Sequence, residues 1–509
     1  MTRRDAARIA TRVTTGIAGV AVLGVIVTGA LLLPPSSGDA SAPSVVVTPV
    51  ATDQQRVCPG ALLRPPEADA AGTTSAVAVG SSTVTSGSAS SGTATGGPGV
   101  RTSRLQAPEV QGGASTEASV LAVAGAEGDD PTELAGAASQ IATQSDLAGL
   151  AAAPCSEATA ESWLLGGATT TGRTTFVVLD NPSGVSSSVD LAISGEDGAV
   201  SAPGASGINV PAGSRRVLSL AGLAPDLSSP AIHVQSRGGQ VVATLQQSTV
   251  RGLLAGGVDV VVPAAAPATT LTMTGLRIDS QSAPQPAPAE GEAPAEGTDG
   301  ADGAAGSGPG ADVGTDPDRS TAVRILVPGS DDADVSVSVA PEDGTDGTGT
   351  TFTVEADGGR VTDFPVSGLT DGRYAVTVQS SVPVAAAARS VSGAAEGGTT
   401  DFAWLPASGA LTRDALVSVP AGPAPLLHVR NPGGAEATVT ARPTDGSEPV
   451  ALTVPAGAEV SASVAAGRTY LLEGAAGLTA TVTLAEPGRS AALPVVPVLP
   501  AADPLRVHP

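Results

Sequence analysis

One pattern is written three times in this chain of 509 residues. "FVVLDNPSGVSSSVDLAISGEDG" (176–198), "RILVPGSDDADVSVSVAPEDG" (324–344) and "LLHVRNPGGAEATVTARPTDG" (426–446) each run from an apolar strand through a Pro/Gly turn into an alternating strand and an acidic glycine turn. Successive side chains of an extended strand point to opposite faces, so alternation at period two marks a sheet with one buried and one wet face. Val189, Leu191 and Ile193 hold the apolar face of the first copy, Val335, Val337 and Val339 that of the second, and Ala437, Val439 and Ala441 that of the third. Asp, Ser, Thr or Ala stand between them. Sheets of this kind are antiparallel, and repetition on this scale marks a tandem array.

The flanking runs supply about six or seven strands per copy, separated by Pro-Gly and Asp-Gly turns. This predicts an all-β chain of tandem immunoglobulin-like or fibronectin-like sandwiches. Three long repeats are too few for the blades of a propeller. The repeats are expected at 163–259, 260–400 and 401–500, with a tail at 501–509 and "AALPVVPVL" standing where a fourth copy would start. The segment 279–320 is acidic, contains no apolar residue larger than Val, and reads as a disordered insertion in the second copy. Ahead of the repeats, 58–162 is rich in small residues and reads as a thin β module with a mobile Ser/Gly loop at 86–104. Its Cys58 and Cys155 are the only cysteines of the chain. In an exported protein such a pair is expected to be bonded, and closing so long a loop stabilises by up to about 4–5 kcal/mol on the chain-entropy model.

Export is predicted by the N-terminus. Arg3, Arg4, Arg8 and Arg12 lie in a basic tail, 1–15, and the uncharged run "GIAGVAVLGVIVTGALLL" follows at 16–33. A helix of that length rises about 27 Å, close to the hydrocarbon thickness of a bilayer. Basic residues on one flank place the N-terminus in the cytoplasm. The expectation is a single-pass anchor, a stalk at 34–57, and the bulk of the chain outside the cell membrane. A cleaved signal peptide, with "ASA" (40–42) as its site, is the alternative.

A net charge of −24 argues against nucleic acid, which requires a basic surface. Motifs for a hydrolase elbow, a zinc protease or a phosphate loop are missing, so no catalytic residue, cofactor or metal ligand is assigned. His233 and His428 alternate with apolar neighbours and are expected to face solvent; His508 is near-terminal. The clusters "SDDAD" (330–334), "PEDGTDG" (341–347) and "TDPD" (315–318) suit turns, with Ca²⁺ as the alternative. Aromatics make up only 2% of the chain, so Trp163 and Trp404 stand out. They read as corresponding positions of two repeats: packing wedges between modules, or candidate sugar-binding platforms.

The combination of "RVCPG", "SWLLGGATTTGRTTFVVLDNPSG" and "NPGG" after a membrane segment resembles an uncharacterised actinobacterial family of membrane-anchored exported proteins. The pattern carried by Trp163, Gly166, Gly167, Thr169, Leu179, Asn181 and Pro182 also resembles a module repeated in bacterial surface proteins. The second copy departs from it with "LVPGSD". The resemblance implies location and architecture, and an envelope role through association with glycosyltransferases; it supplies no catalytic residues. The expected function is a non-enzymatic envelope scaffold whose partner is an envelope-biosynthesis protein, with a reader of cell-wall polysaccharide as the alternative.

Overall fold

The computed structural model describes residues 45–47, 53–66, 76–90, 94–95, 97–113, 116–124, 132–279, 320–393, 400–496 and 505–507. The expected membrane segment 16–33 and the insertion at 280–319 lie outside them. No helix among the described residues is long and apolar enough to cross a membrane. The chain divides into two compact units, 51–501 and the paired ends 1–50 with 502–509.

Among the described residues of 51–501 the structure is all-β apart from one helical turn, α1 (Leu220–Leu223). Its strands form four modules on one plan. In the first, β2 (Gln54–Cys58), β8 (Ser119–Val123) and β6 (Arg101–Arg104) lie side by side, and β5 (Thr83–Ser90), β9 (Thr132–Thr143) and β10 (Ala148–Pro154) form a second sheet. The short β3 (Leu62–Arg64), β4 (Ala76–Val79) and β7 (Val110–Gln111) make a third.

The second module orders β11 (Glu161–Leu165), β17 (Ala231–Gly238), β13 (Ser187–Gly195) and β15 (Ile208–Val210), with β14 (Gly198–Ala199) also on β13. Its other sheet runs β16 (Ser214–Ser219), β12 (Arg173–Asn181), β18 (Val242–Arg251) and β19 (Leu254–Val261). The third module repeats this with β20 (Ala268–Ile278), β25 (Gly372–Ser392), β22 (Ala333–Pro341) and β23 (Thr350–Ala356), then β24 (Val361–Pro365), β21 (Ala322–Leu326), β25 again and β26 (Asp401–Pro406). The long β25 serves both sheets. The fourth has β27 (Ala415–Val419), β32 (Arg468–Glu473), β29 (Ala437–Pro443) and β30 (Val450–Val454), then β31 (Glu459–Ser463), β28 (Leu426–Arg430), β33 (Thr479–Glu486) and β34 (Arg489–Pro494). In the smaller unit, β1 (Val45–Val47) pairs antiparallel with β35 (Leu505–Val507), within the segments expected to be stalk and tail.

This pairing differs from the expected immunoglobulin pattern. There the first strand lies beside the second and the seventh beside the sixth. Here, in the three later modules, the first strand lies beside the sixth and the seventh beside the second. The repeat boundaries shift as well. β19 crosses 259/260 and completes the sheet before it, as β26 and β34 do in turn, because each forms an antiparallel pair with the strand just preceding it. "FAWLPAS" therefore ends a module, and "AALPVVPVL" begins none. Trp163 is on a first strand and Trp404 on a last one, so the two are not equivalent. Residues 86–90 and 101–104, expected in a loop, belong to β5 and β6.

The alternating strands behave as their pattern requires. Val189, Leu191, Ile193, Val335, Val337, Val339, Val439 and Ala441 are buried, and Ala437 is half-buried. The seventh strands do not alternate: the first eight residues of β18 and the last nine of β25 are buried on both faces. One face meets the module's own core, the other a neighbour. Leu326, Ala385, Ala387 and Phe402 of the third module extend the core of the second, and Ala137, Leu150 and Ala152 of the first extend that of the fourth.

The repeated Asn-Pro turn has a local cause. Asn181 Nδ2 donates to Val185 O and Val210 O, at 2.8 and 3.0 Å, while its Oδ1 accepts from Ser183 N. Asn431 does the same with Ala435 O, Val454 O and Gly433 N. Each buried amide thus ties the turn after the second strand to the fourth, satisfying carbonyls that would otherwise be buried unpaired.

Cys58 and Cys155 are bonded, 97 residues apart in sequence, as expected. Leu121, Val123, Leu134 and Ala138 complete a small core around them. A Cβ on Gly136 would come within 2.8 Å of Cys155 Sγ, so glycine is required there. Replacing Cys155 by Ser is expected to cost about 2–5 kcal/mol. Urea denaturation should show the loss, and reduction of the wild type should reproduce it.

Candidate functional site

The four last strands meet. β10 touches β19 and β34, and β26 touches β19 and β34, so the strands close a ring to which each module contributes one member. Asp401, at the start of β26, stands in this ring and is fully buried. Its Oδ2 accepts from Leu150 N of the first module at 2.8 Å and from Ser490 N of the fourth at 3.1 Å; Oδ1 accepts from Val258 N of the second at 3.0 Å. Gly149 and Gly257, one residue before two of these donors, let the backbone come close. A Cβ on either would fall within 2.8 Å of Asp401 Oδ1, and both have positive φ, +146° and +116°. Burial pushes the Asp401 carboxyl up to about 8, against the pull of its backbone N–H donors. Asp259 on β19 is buried too. Its Oδ2 accepts from Trp404 N at 2.7 Å, its Oδ1 has no hydrogen-bond partner, and burial, with the charge of Asp401, holds its carboxyl well above the usual range.

A cavity of about 520 Å³ opens where the last strands end. Residues of all four modules line it, among them Pro154, Trp163, Ala407 and Leu493; Arg56, Glu157 and Glu161 supply charge. Trp163 is half-buried in its wall and stacks on His233, with centroids 3.9 Å apart and planes 5° from parallel. His233 Nε2 is 2.7 Å from Glu161 Oε1. One face of the indole is therefore already covered by an imidazole.

Trp404 is different. It is 2% exposed, its Nε1 donates to Gln247 Oε1 at 2.8 Å, and the guanidinium carbons of Arg324 and Arg389 lie 4.6 and 5.5 Å from its ring centroid. Arg324 is fully buried, paired with Asp363 at 2.7 and 2.9 Å, and donates to Gly167 O, Pro230 O and Ser228 O of the second module. Burial acts to raise the Asp363 carboxyl, but the charge and hydrogen bonds of Arg324 overcome it and hold the carboxyl low. As a sugar platform Trp404 is closed; it wedges the second and third modules together.

A third locus joins the third and fourth modules. His428, expected to face solvent, is fully buried, because the third module covers the outer face of β28. Its Nδ1 lies 3.0 Å from Glu342 Oε2 and 3.6 Å from Glu459 Oε1, and its Nε2 lies 2.8 Å from Thr483 Oγ1. Glu459 Oε1 also accepts from Gly275 N of the third module at 2.8 Å, while Oε2 has no hydrogen-bond partner. Burial raises the Glu459 carboxyl to about 8, with the nearby charge of Glu342 adding to the rise. Glu342 is held low, because the hydrogen bond and charge of His428, with Ser461 and Arg373, outweigh its burial. Elsewhere in the acidic clusters, Asp332 Oδ1 accepts from Gly358 N, joining the loop before β22 to the turn after β23.

The model of a family of unknown function (DUF5719) matches residues 110–467. The chain belongs to that family. No curated protein and no solved structure matches it. The matched span includes Asp401, Trp163, Trp404 and the Glu342/His428/Glu459 cluster, while Ser490, Thr483 and part of the cavity wall (Arg56, Leu493) lie beyond it. Sequence reading singled out the two indoles and missed the two acidic centres. The carboxylates that matter come from strand starts and turns of different modules, where nothing in spacing marks them. The one available signal is an acid within an otherwise apolar last strand, Asp259 in "GGVDVV" and Asp401 in "TDFAWL".

Asp401→Asn puts an N–H donor where an acceptor is needed and is expected to cost about 1–3 kcal/mol, read by denaturant unfolding. Gly257→Val is expected to cost more, since it adds bulk against Asp401 at a positive φ.

The raised Asp401 carboxyl keeps its proton in the folded body, whereas the unfolded chain releases it above about pH 4. Its contribution to stability is complete below that point and is lost as pH climbs toward 8, and the raised Asp259 carboxyl acts in the same direction. The melting temperature should therefore fall between about pH 5 and 9, and the fall should be shallower in Asp401→Asn.

Proposed function

We propose that this chain is a non-enzymatic scaffold of the cell envelope, anchored by its N-terminal segment and displaying the body 51–501 outside the membrane. The modules are read as tandem sandwiches of immunoglobulin-like ancestry with two strands exchanged. The observation that carries the scaffold reading is the ring of last strands around Asp401, which locks four modules into one body through backbone-to-carboxylate bonds. A body held in this way suits presentation of fixed surfaces to protein partners. It gains further support from the use of Trp404, Arg324 and Asp363 in module contacts. The axial cavity is the proposed docking point, because every module contributes to its wall.

The second reading, a binder of wall polysaccharide, is favoured by a single observation: Trp163 lines that cavity. Acrylamide quenching is expected to reach only one of the two indoles, and Trp163→Phe should abolish the quenchable component. The full chain in detergent should not pellet with protein-free cell wall in a manner that soluble wall glycan competes away. Competed pelleting lost in Trp163→Phe would replace the scaffold reading with the polysaccharide one.

A further inference from the structure

Glu342, His428 and Glu459 form the one group of three potential metal ligands found close together among the described residues, with one ligand atom from each lying within 4.8 Å of the others. Four-coordinate zinc, with bonds of about 2.0–2.1 Å, sets neighbouring ligand atoms roughly 3.3 Å apart. The separations of His428 Nδ1 from Glu342 Oε2 and Glu459 Oε1, 3.0 and 3.6 Å, bracket that value. The free nitrogen of the imidazole is already oriented by Thr483 Oγ1, the kind of outer contact that fixes a ligating histidine. Gly275 N donates to Glu459 Oε1 and fixes that carboxyl group, leaving Oε2 without a partner.

Glu459 supplies the independent observation. Its side chain is fully buried beside the imidazole, yet Oε2 has no hydrogen-bond partner. A buried carboxylate oxygen without a partner costs free energy, and a cation is the strongest partner it can have. Two carboxylates and a neutral imidazole carry two negative charges, one of which the half-exposed Arg373, 3.3 Å from Glu342 Oε2, now offsets; an entering dication would take the place of that guanidinium.

We propose that Glu342, His428 and Glu459 bind a divalent transition ion of zinc size. Glu342 comes from the end of the third module's β22 hairpin, while His428 and Glu459 stand on paired strands of the fourth. The ion is thus a staple between two modules. Mixed nitrogen and carboxylate donors suit zinc or cobalt better than calcium, which takes six to eight oxygens.

The test uses the full chain in detergent, stripped with chelator, dialysed, and titrated with Zn²⁺ against a chromophoric competitor. One saturable equivalent is expected, together with tetrahedral absorption bands when Co²⁺ replaces it. Zinc should raise the melting temperature of the wild type, since an ion bound only by the folded state stabilises it. Glu459→Gln, which keeps the shape, should lose that equivalent and the thermal shift. Thr483→Val should weaken binding about 10–100-fold without abolishing it. Equal zinc binding by wild type and Glu459→Gln would place the ion elsewhere and overturn the proposal. Absence of binding by the wild type would also overturn it and leave the cluster as a proton-sharing contact. If Glu459→Gln does not fold, Glu342→Gln and the wild-type cobalt spectrum decide, with octahedral or absent bands counting against the site.

Discussion

The carboxyl group of Asp401 takes backbone N–H groups from three modules other than its own. Those N–H groups sit where the last strands converge, beyond the reach of their own sheet partners and away from water. A buried backbone donor without an acceptor is costly, so a compact junction of four strands requires a central acceptor. Two glycines clear space for it on the first two modules. The remaining contacts between modules follow from strands being brought this close: seventh strands lose their solvent face, and their sequences cease to alternate.

The same demand explains where the charged residues went. A chain with so few aromatics builds thin cores of Val, Leu, Ile and Ala that run on from one module into the next, and polar groups add directed contacts between the modules. Arg324 reaches from the third module to three carbonyls of the second while pairing with Asp363 and covering Trp404. Asp180 and Arg215 form a bidentate pair within the second module, at 2.6 and 2.7 Å. Breaking one partner of a buried pair strands a charge, so such contacts enforce a single arrangement more than they add stability. One recess, the cavity where the last strands end, is lined by residues of all four modules.

The sequence by itself determined the all-β class, the disulfide, and the inward face of each alternating strand, because each depends on local chemistry or on counting. A period of two needs no partner to be read, and two cysteines leave one pairing. The Asn-Pro turns were visible as a motif, though their purpose was not: Asn181 and Asn431 act on a strand 23 to 29 residues away.

Tertiary structure alone decided the rest. A strand ending in Leu-Pro or Val-Pro reads the same whether it opens a module or closes one; only the hydrogen bonds of β19, β26 and β34 assign it backward. His428 alternates on its strand as a surface residue would, and is buried because a neighbouring module lies on that face. Glu342 looks like turn chemistry and Asp401 like a loop acid until four modules are brought together. Period and composition report which face of a strand is apolar. They carry no information about a second surface pressed onto the polar face, and in this protein that is where the buried carboxylates and the histidine were placed.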